Sequence, residues 1–296
     1  MRIPGIKAAR QSIQWLHSRF RPHALILGYH RVADDHEDPY GICVSPAHFA
    51  AHMAILQAQA QVIQLGELVQ GLQVGKLPDR SVAITFDDGY ADLLQTVKPV
   101  LENLDIPCTV FIVTGSLGLE YWWDEIERLQ SGGGLTGEVH QGTSYEELLS
   151  LPLAERQRAI NVLRERSGAD LVESTLRSMT LDELIELSNC SLIEIGAHGA
   201  NHLSLSHLPD DEQTNELLES RHFLERNLGK AIHGFSYPNG SFSELTKNLA
   251  QECGYTYACQ SRPGPVFAHS DLYQLPRFWI PDWDGATFRR WLVKWL

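Results

Sequence analysis

The sequence predicts an α/β protein in which parallel strands form a sheet and helices cover it. Short apolar runs alternate with amphipathic stretches along much of the 296 residues, the pattern of consecutive strand–helix units. A hydrophobic content of 43% is enough to bury a large core, and the length fits one large domain. The predicted strands are Ala24–Tyr29, Val82–Phe86, Cys108–Val113, Leu192–Gly196, Gly234–Ser236 and Thr256–Cys259.

Helices are predicted between these strands by recognisable start and stop signals. Ser45 is a typical N-cap for the first helix, and Gly229 is a typical stop for the third. Capping-box patterns at Thr180–Glu183 and Ser241–Glu244 each predict the beginning of a further helix, and Gly254 ends the second of these. The three helices without a capping box are predicted at Pro46–Leu56, Ala91–Leu104 and Asp211–Asn227.

Residues 116–190 interrupt the alternation of strands and helices. Gly132–Gly134 indicates a loop, and the stretch from Ser144 through Arg166 predicts a helix. We interpret this region as a mainly helical insertion in a single domain that spans residues 1–296, rather than as a second domain.

Two carboxylates stand side by side where a predicted strand ends. Asp87 and Asp88 follow Val82–Phe86, and Gly89 comes next. A turn that begins at this glycine can bring both carboxylates to one cavity, as a metal ligand beside a base. Taken alone, Asp-Asp-Gly is more typical of a solvated turn.

Two histidines follow another predicted strand. His198 and His202 are four residues apart, so a helical turn or a tight loop can aim both imidazoles at one point. Two imidazoles and one carboxylate form a three-ligand site with an open position for water, as in catalytic zinc centres. A histidine pair alone is often incidental, and it is the combination with Asp87 and Asp88 that favours a metal site.

These motifs resemble those of the polysaccharide deacetylase family, whose metal-dependent members remove acetyl groups from N-acetylated sugars. Thr85 to Gly89 reproduces the motif Thr-Phe-Asp-Asp-Gly, and His198 to His202 the second motif, with Gly199 where many members carry Ser or Thr. A third motif, an aromatic residue before Pro-x-Gly, lies within Phe235–Gly240. The resemblance covers roughly residues 24–282. It implies an irregular (β/α) barrel of about seven strands.

The sequence departs from the common family pattern at two places. Many members carry an arginine two residues before the motif proline, where this chain has Ser236, and a histidine near the carboxyl terminus, whereas none follows His269 here. One branch of the family takes the arginine from a later Leu-Pro-Arg segment and the histidine from a Tyr-His segment near the amino terminus. Leu275–Arg277 and His30 match these two segments.

The resemblance assigns a role to each of these residues. Asp88, His198 and His202 would hold a divalent ion, for which Zn²⁺ is the first choice and other divalent transition metals are alternatives. The proton-transfer residues would be Asp87 as base and His30 as acid to the leaving amine, with Arg277 orienting the base.

Four further residues are candidates for the oxyanion or the sugar. A backbone N–H near Asn239 would meet the oxyanion together with the ion, and Tyr237 lies on the same segment. Trp122 and Trp123 follow a predicted strand end, where they could stack on a sugar ring. Core packing is an equally good interpretation of these paired tryptophans.

Charge and cysteine content narrow the class of partners. With 24 basic and 37 acidic residues the net charge is −13, which argues against a nucleic-acid substrate. The five cysteines show no Cys-x-x-Cys spacing and suggest reduced thiols in a cytosol. No secretory leader or membrane-spanning run is recognisable, so we expect a cytoplasmic protein.

Both ends of the chain combine basic and apolar residues. The first 21 residues and residues 288–296 predict basic amphipathic helices, which could contact the inner membrane face peripherally. The simpler alternative is that both helices pack against the barrel. The basic residues of the amino-terminal stretch are Arg2, Lys7, Arg10, Arg19 and Arg21.

The sequence therefore predicts metal-dependent hydrolysis of an acetamido group on an N-acetylated sugar or glycan precursor, in cell-surface polysaccharide synthesis. Two alternatives stay open: hydrolysis of another non-peptide amide on the same fold, and a non-catalytic sugar-binding descendant. A metal assay and an acetate-release assay separate the three.

Overall fold

In the computed structural model, which describes residues 22–34, 38–78, 80–131, 145–167 and 176–296, a nine-stranded sheet forms the centre of the protein. A separate pair of short strands lies beside it. In chain order the strands are β1 (His23–Tyr29), β2 (Arg31–Val32), β3 (Cys43–Val44), β4 (Gln61–Val62), β5 (Ser81–Phe86), β6 (Cys108–Ile112), β7 (Ile193–Ala197), β8 (Gly234–Ser236), β9 (Tyr257–Cys259), β10 (Val266–Phe267) and β11 (Phe278–Trp279).

The strand order defines an irregular barrel. Within the described residues, seven parallel strands follow one another in the order β11-β1-β5-β6-β7-β8-β9. The two-residue β4 and the antiparallel β10 pair with the first residues of β5 and β1. Leu275 forms a parallel bridge to Cys259, so the chain just before β11 returns to β9. The predicted seven-stranded barrel is thereby confirmed.

The strands are apolar on both faces because both faces are covered. In β1, Leu25 and Leu27 pack into one buried cluster, whereas Ala24 and Ile26 pack into another. The same alternation in β5 leaves every residue of that strand buried. Continuous apolar runs are expected of parallel strands in such a setting. This burial fixes the register of the strands and hence the positions of the polar residues that follow them.

Helices connect the strands at nearly the predicted positions. Gly229 and Gly254 follow two of them with positive φ values of 65° and 86°. The described α-helices are Pro46–Gln59, Leu65–Gln73, Lys98–Leu104, Trp122–Ser131, Tyr145–Ser150, Leu153–Ser167, Leu181–Ser188, Asp210–Leu228, Glu244–Glu252 and Gly285–Trp295, and Leu93–Val97 is π-helical.

Three local predictions need correction. The capping box before Glu244–Glu252 is formed by Ser243 with Thr246 rather than by Ser241, whose hydroxyl instead pairs with Ser206 Oγ at 2.7 Å. The single helix predicted from Ser144 through Arg166 is two helices, because Pro152 disfavours helical geometry at the residue before it. Ser45 precedes its helix without a side-chain cap, since its hydroxyl donates to Asp282 Oδ1 at 2.9 Å.

The carboxyl-terminal helix packs its apolar side against the barrel. Phe288, Leu292 and Trp295 are buried, and the Phe288 ring stacks on His52 at 4.2 Å. Among the described helices, none is long and apolar enough to cross a membrane. The predicted basic amino-terminal helix and the Gly132–Gly134 loop lie outside the described residues.

Candidate active site

Most of the predicted site residues meet in a cavity of about 360 Å³ at the carboxyl ends of the parallel strands. Asp87 and Asp88 follow β5, His198 and His202 follow β7, and His30 follows β1. Other residues of the cavity wall are Tyr40, Trp123, Tyr145, Asn239, Ser261 and Trp279. The location is the one where (β/α) barrels place their chemistry.

Asp88, His198 and His202 form a candidate metal centre. Their ligand atoms lie within 4.8 Å of one another, and Asp88 Oδ1 is 3.5 Å from Nε2 of each histidine. His198 Nδ1 is 2.7 Å from the Ser236 carbonyl oxygen, a contact that assigns the proton to Nδ1 and leaves Nε2 as a lone pair. Asp88 Oδ1 is buried, and none of the described residues forms a hydrogen bond with it. A nitrogen–nitrogen–oxygen set with an orphaned carboxylate oxygen fits a divalent ion such as Zn²⁺.

The pKa shifts of the three residues agree with a metal centre. Burial raises the pKa of Asp88, and the nearby charges of Asp87 and Asp124 raise it further. Burial lowers the pKa of both His198 and His202, so the two rings are kept neutral. Neutral imidazoles are the form that binds a metal, and a cation would relieve the cost of the buried Asp88 carboxylate.

Unusual backbone conformations aim these ligands into the cavity. Asp88 and His202 have positive φ values of 70° and 52°, although neither is glycine. Gly199 has a φ of 80°, a conformation that disfavours the Ser or Thr found there in many relatives. Glu216 supports the loop instead, because it accepts hydrogen bonds from the Asn201 backbone N–H at 2.8 Å and side-chain amide at 2.6 Å.

Asp87 is held by a buried ion pair. The Arg277 guanidinium donates to both carboxylate oxygens of Asp87 at 2.7 Å, and the Ser236 hydroxyl donates to Oδ2 at 3.0 Å. Burial alone would raise the pKa of Asp87, but the positive charge and the hydrogen bonds of Arg277 outweigh burial and hold that pKa well below its usual range. Asp87 is therefore ionised at neutral pH, as a base must be.

Arg277 is enclosed by partners on all sides and has no exposed surface. It donates to Ser236 Oγ at 2.8 Å and Thr85 Oγ1 at 3.2 Å, and its guanidinium carbon lies 4.6 Å from the Trp279 ring centroid. Ser236, which stands where many relatives carry arginine, thus bridges the carboxylate and an arginine that arrives from another strand. Arg277 therefore lies beside Asp87, where the family resemblance led us to expect it.

His30 lies in the same cavity, with its ring stacked on Trp279 at a centroid distance of 4.4 Å. Burial lowers the pKa of His30 to about 4, despite the opposing effect of Asp87. The ring is therefore neutral at pH 7 in the absence of substrate.

Of the four candidates for oxyanion or sugar contacts, two line the active cavity and two do not. Asn239 and Trp123 line the cavity, and Asn239 adopts a positive φ of 57°. Tyr237 is fully buried and its hydroxyl donates to the Tyr273 carbonyl at 2.9 Å, so its side chain is not part of the cavity wall. Trp122 lines a neighbouring cavity, where it lies between Tyr145 and Arg156.

An aromatic layer beneath the metal ligands was not predicted from the sequence. The Tyr121 hydroxyl donates to the Asp88 carbonyl at 2.5 Å, and the Tyr121 ring stacks on Trp123 at 4.4 Å. Trp123 in turn contacts the His202 ring at 4.8 Å, and its Nε1 donates to Tyr90 OH at 2.8 Å. The layer therefore supports two of the three ligands, and Trp123 packs in this layer as well as facing the cavity.

Replacing Tyr121 with Phe is expected to weaken metal binding about 10–100-fold, the usual effect of losing an outer-shell contact. The hydroxyl makes the shorter of two hydrogen bonds to the carbonyl of Asp88, a residue in the left-handed conformation, and the other comes from the Val113 N–H at 3.5 Å. Competition with a chelating dye measures the affinity. Tyr255→Phe is the matched control, because its buried hydroxyl donates to the Leu217 carbonyl outside the cavity. Equal affinities in the two variants would contradict this role.

Comparisons with known proteins agree with the fold and the motifs. The family model for polysaccharide deacetylase matches residues 74–166 and 171–258. A poly-beta-1,6-N-acetyl-D-glucosamine N-deacetylase of Staphylococcus aureus is 23% identical over 284 residues, which cover 88% of this chain and 83% of that protein. The chain therefore belongs to the polysaccharide deacetylase family, which places it among the carbohydrate deacetylases.

Solved structures show the same fold at low sequence identity. The Streptococcus pyogenes deacetylase PplD in complex with acetate has a TM-score of 0.65 and 18% identity, with 91% of this chain and 98% of that chain covered. IcaB from Ammonifex degensii has a TM-score of 0.64 and 16% identity, with 92% and 97% covered. The irregular barrel is thus shared along almost the whole of this chain.

Proposed function

We propose that this protein is a metal-dependent deacetylase that hydrolyses the acetamido group of an N-acetylated glycan used in cell-surface polysaccharide synthesis. The observation that carries the proposal is the contrast between the two adjacent carboxylates. Asp88 Oδ1 is buried beside two imidazoles with no hydrogen-bond partner among the described residues, whereas Asp87 is held ionised by Arg277. The names of similar proteins, which include a poly-N-acetylglucosamine deacetylase, support the choice of substrate.

The residues of the cavity divide the chemistry among them. A divalent ion held by Asp88, His198 and His202 would polarise the acetyl carbonyl and lower the pKa of water. Asp87 accepts the proton of that water as the water oxygen attacks the carbonyl carbon. Arg277 and Ser236 fix the carboxylate of Asp87 so that the oxygens keep one orientation throughout.

The developing oxyanion needs a hydrogen-bond donor, and the leaving amine needs a proton donor. In the turn at 238–240, the backbone N–H groups of Gly240 and Ser241 donate to the carbonyls of Tyr237 and Pro238, so we assign the oxyanion contact to the Asn239 N–H. His30 is assigned the proton transfer to the leaving nitrogen. Because its pKa is about 4 in the free protein, His30 has to take up a proton from solvent before it passes that proton to the leaving nitrogen, and the growing negative charge on the substrate favours this uptake.

Release of acetate tests the proposed function. Oligomers of β-1,6-linked N-acetylglucosamine are incubated with zinc-loaded protein, with chelator-treated protein, and with chelator-treated protein to which zinc is returned. We expect acetate and free amine in equal amounts, loss of both on chelation, and recovery with zinc. Sugar binding without acetate release by the metal-loaded protein would instead identify a non-catalytic carbohydrate-binding protein.

Replacing His30 with Ala is expected to lower kcat on the glycan roughly 10²–10⁴-fold, the range for loss of a general acid. The same variant should lose far less activity on 4-nitrophenyl acetate, whose leaving group needs no proton. Steady-state kinetics on both substrates measure the difference. His207→Ala is the control, because His207 is exposed on another loop. An equal loss on both substrates would rule out the acid role.

We also propose that the protein makes peripheral contact with the anionic cytoplasmic face of the inner membrane. Arg289, Arg290 and Lys294 are exposed on the carboxyl-terminal helix, and each basic residue near such a surface contributes about 1 kcal/mol. We expect the protein to float with phosphatidylserine vesicles at low salt and to be released at high salt. An Arg289→Gln, Arg290→Gln double variant should float less. Absence of flotation at low salt would remove the membrane contact and leave the deacetylase proposal unaffected.

A further inference from the structure

A second cavity of about 980 Å³ lies beside the active cavity and shares a wall with it. Trp122 and Asn201 line the second cavity, whereas the next residue in each segment, Trp123 and His202, lines the first. In both segments, consecutive residues thus face different cavities, and these residues form the wall between the two cavities.

The carboxylates that line this second cavity are already paired. Glu125 accepts from Arg164 Nη2 at 2.7 Å, and Glu120 accepts from Arg128 Nη2 at 2.8 Å. Asp92 accepts from Arg31 Nε at 3.3 Å. These ion pairs neutralise the acidic side of the cavity, so the remaining charge decides what the cavity can bind.

Arg177 also lines the cavity but is paired with Glu183, so the remaining charge in the wall is Arg156. Arg156 is only 3% exposed, and among the described residues no carboxylate forms a salt bridge with it. Burial lowers its pKa, and the charge of nearby Glu216 offsets that effect only in part. Within the same described part of the chain, its one side-chain hydrogen bond is a long contact of 3.4 Å from Nη2 to the Asn201 carbonyl. A buried guanidinium with unused donors is costly unless a ligand or water satisfies it.

A second donor without an acceptor lies next to Arg156. Trp122 Nε1 is buried and has no hydrogen-bond partner in the part of the chain that the structure describes, and the Arg156 guanidinium carbon is 4.9 Å from the Trp122 ring centroid. Guanidinium and indole groups can only donate hydrogen bonds. Their natural complement is a ligand that only accepts hydrogen bonds, which describes a phosphate or carboxylate group.

We propose that the second cavity binds an oxyanion carried by the saccharide, with Arg156 as its charged anchor and Trp122 Nε1 as a further donor. The saccharide part of this inference rests on the proposed function, because the shared wall places such a group next to the sugar in the active cavity. The anion site itself does not depend on deacetylation, and it can be measured separately.

Calorimetric titration of the zinc-loaded protein tests the site. The ligands are inorganic phosphate, N-acetylglucosamine 1-phosphate, glucuronate and the neutral methyl glycoside of N-acetylglucosamine, all at one ionic strength. Arg156→Gln is expected to weaken binding of the anionic ligands at least about tenfold, the effect of one charge-assisted hydrogen bond, and to leave the neutral glycoside unchanged. Comparison of phosphate with carboxylate ligands identifies which oxyanion the site prefers.

Two further variants distinguish binding from folding. Arg158→Gln lies on the same helix, has a side chain that is 75% exposed, and should bind every ligand like the wild type. Trp122→Phe keeps an aromatic ring beside Arg156 but removes the indole N–H, and it should weaken only the anionic ligands. The proposal is overturned if the wild type binds none of the anions at millimolar concentration, or if Arg156→Gln binds them as tightly as Arg158→Gln does.

The outcome is independent of the proposed function. Acetate release without anion binding would support the deacetylase and exclude the second site, which would then be only a packing contact of Arg156. Anion binding without acetate release would support the site and overturn the deacetylase proposal.

Discussion

Replacing Arg277 with Met is expected to lower the free energy of unfolding by about 3–5 kcal/mol, because it leaves the carboxylate of Asp87 buried and unpaired. The two side chains have exposures of 0% and 3% and share two hydrogen bonds of 2.7 Å. Urea unfolding measures the change. Arg262→Met provides the control, since Arg262 is exposed. A change of less than about 1 kcal/mol, the usual limit for a surface ion pair, would show that the pair is solvated.

The same substitution should move the acid limb of the pH–rate profile. In the wild type, Arg277 is a main cause of the lowered pKa of Asp87, so Asp87 stays ionised well below pH 7. Without the guanidinium, burial dominates and the pKa of Asp87 rises above its ordinary value of 3.8. Activity should then begin to fall at a higher pH than in the wild type. Stability follows the same sign: the ion pair stabilises the fold above the unfolded-state pKa and is lost as pH falls through the folded-state pKa.

Replacing Asp87 with Asn is expected to reduce kcat roughly 10²–10⁴-fold while the protein still binds one zinc ion, because the amide cannot accept the proton of water. Metal content and acetate release are measured on the same preparation. Asp92→Asn is the matched control, since Asp92 also pairs with an arginine but does not line the active cavity. A zinc-loaded Asp87→Asn protein with nearly normal kcat would exclude Asp87 as the base.

The loss of charge at Asp87 also affects stability, and a double variant separates the two effects. Asp87→Asn leaves the Arg277 guanidinium buried without its counter-ion, so this variant is expected to unfold more easily. The double variant Asp87→Asn, Arg277→Met should be less destabilised than the sum of the single variants. Its kcat should nevertheless be as low as that of Asp87→Asn, because stability and proton transfer depend on different properties of the carboxylate.

The strands and the site motifs could be predicted because they depend on short stretches of sequence. The bounds of the six predicted strands differ from the observed ones by one residue at most, since an apolar run buried on both faces has clear ends, whereas the five two-residue strands were not predicted. Asp87, Asp88 and His198 stand directly after such runs, and His202 follows His198 at a spacing of four. His30 and Arg277 became candidates only through the family resemblance, because no local pattern distinguishes a buried arginine from an exposed one.

The features that the sequence did not predict depend on contacts between distant residues. The Tyr121 hydroxyl reaches an Asp88 carbonyl 33 positions away, and nothing near Tyr121 indicates that acceptor. Glu216 and Arg156 likewise form hydrogen bonds with Asn201, a loop residue, although the helices that carry them have the sequences of ordinary polar helices. Local competition explains the capping error, since Ser241 and Ser243 carry equivalent hydroxyls and only the contact with Ser206 decides between them.

The ion pair between Asp87 and Arg277 joins residues that are 190 positions apart, and Arg277 reaches the base only through the strand segment that closes the barrel. Ribosomal synthesis makes Asp87 long before Arg277, so Asp87 cannot be buried as a paired anion until the segment that carries Arg277 has been made. Such distant pairing also slows folding. If Asp87 is the base, as proposed, activity would depend on the completed barrel rather than on the separate motifs.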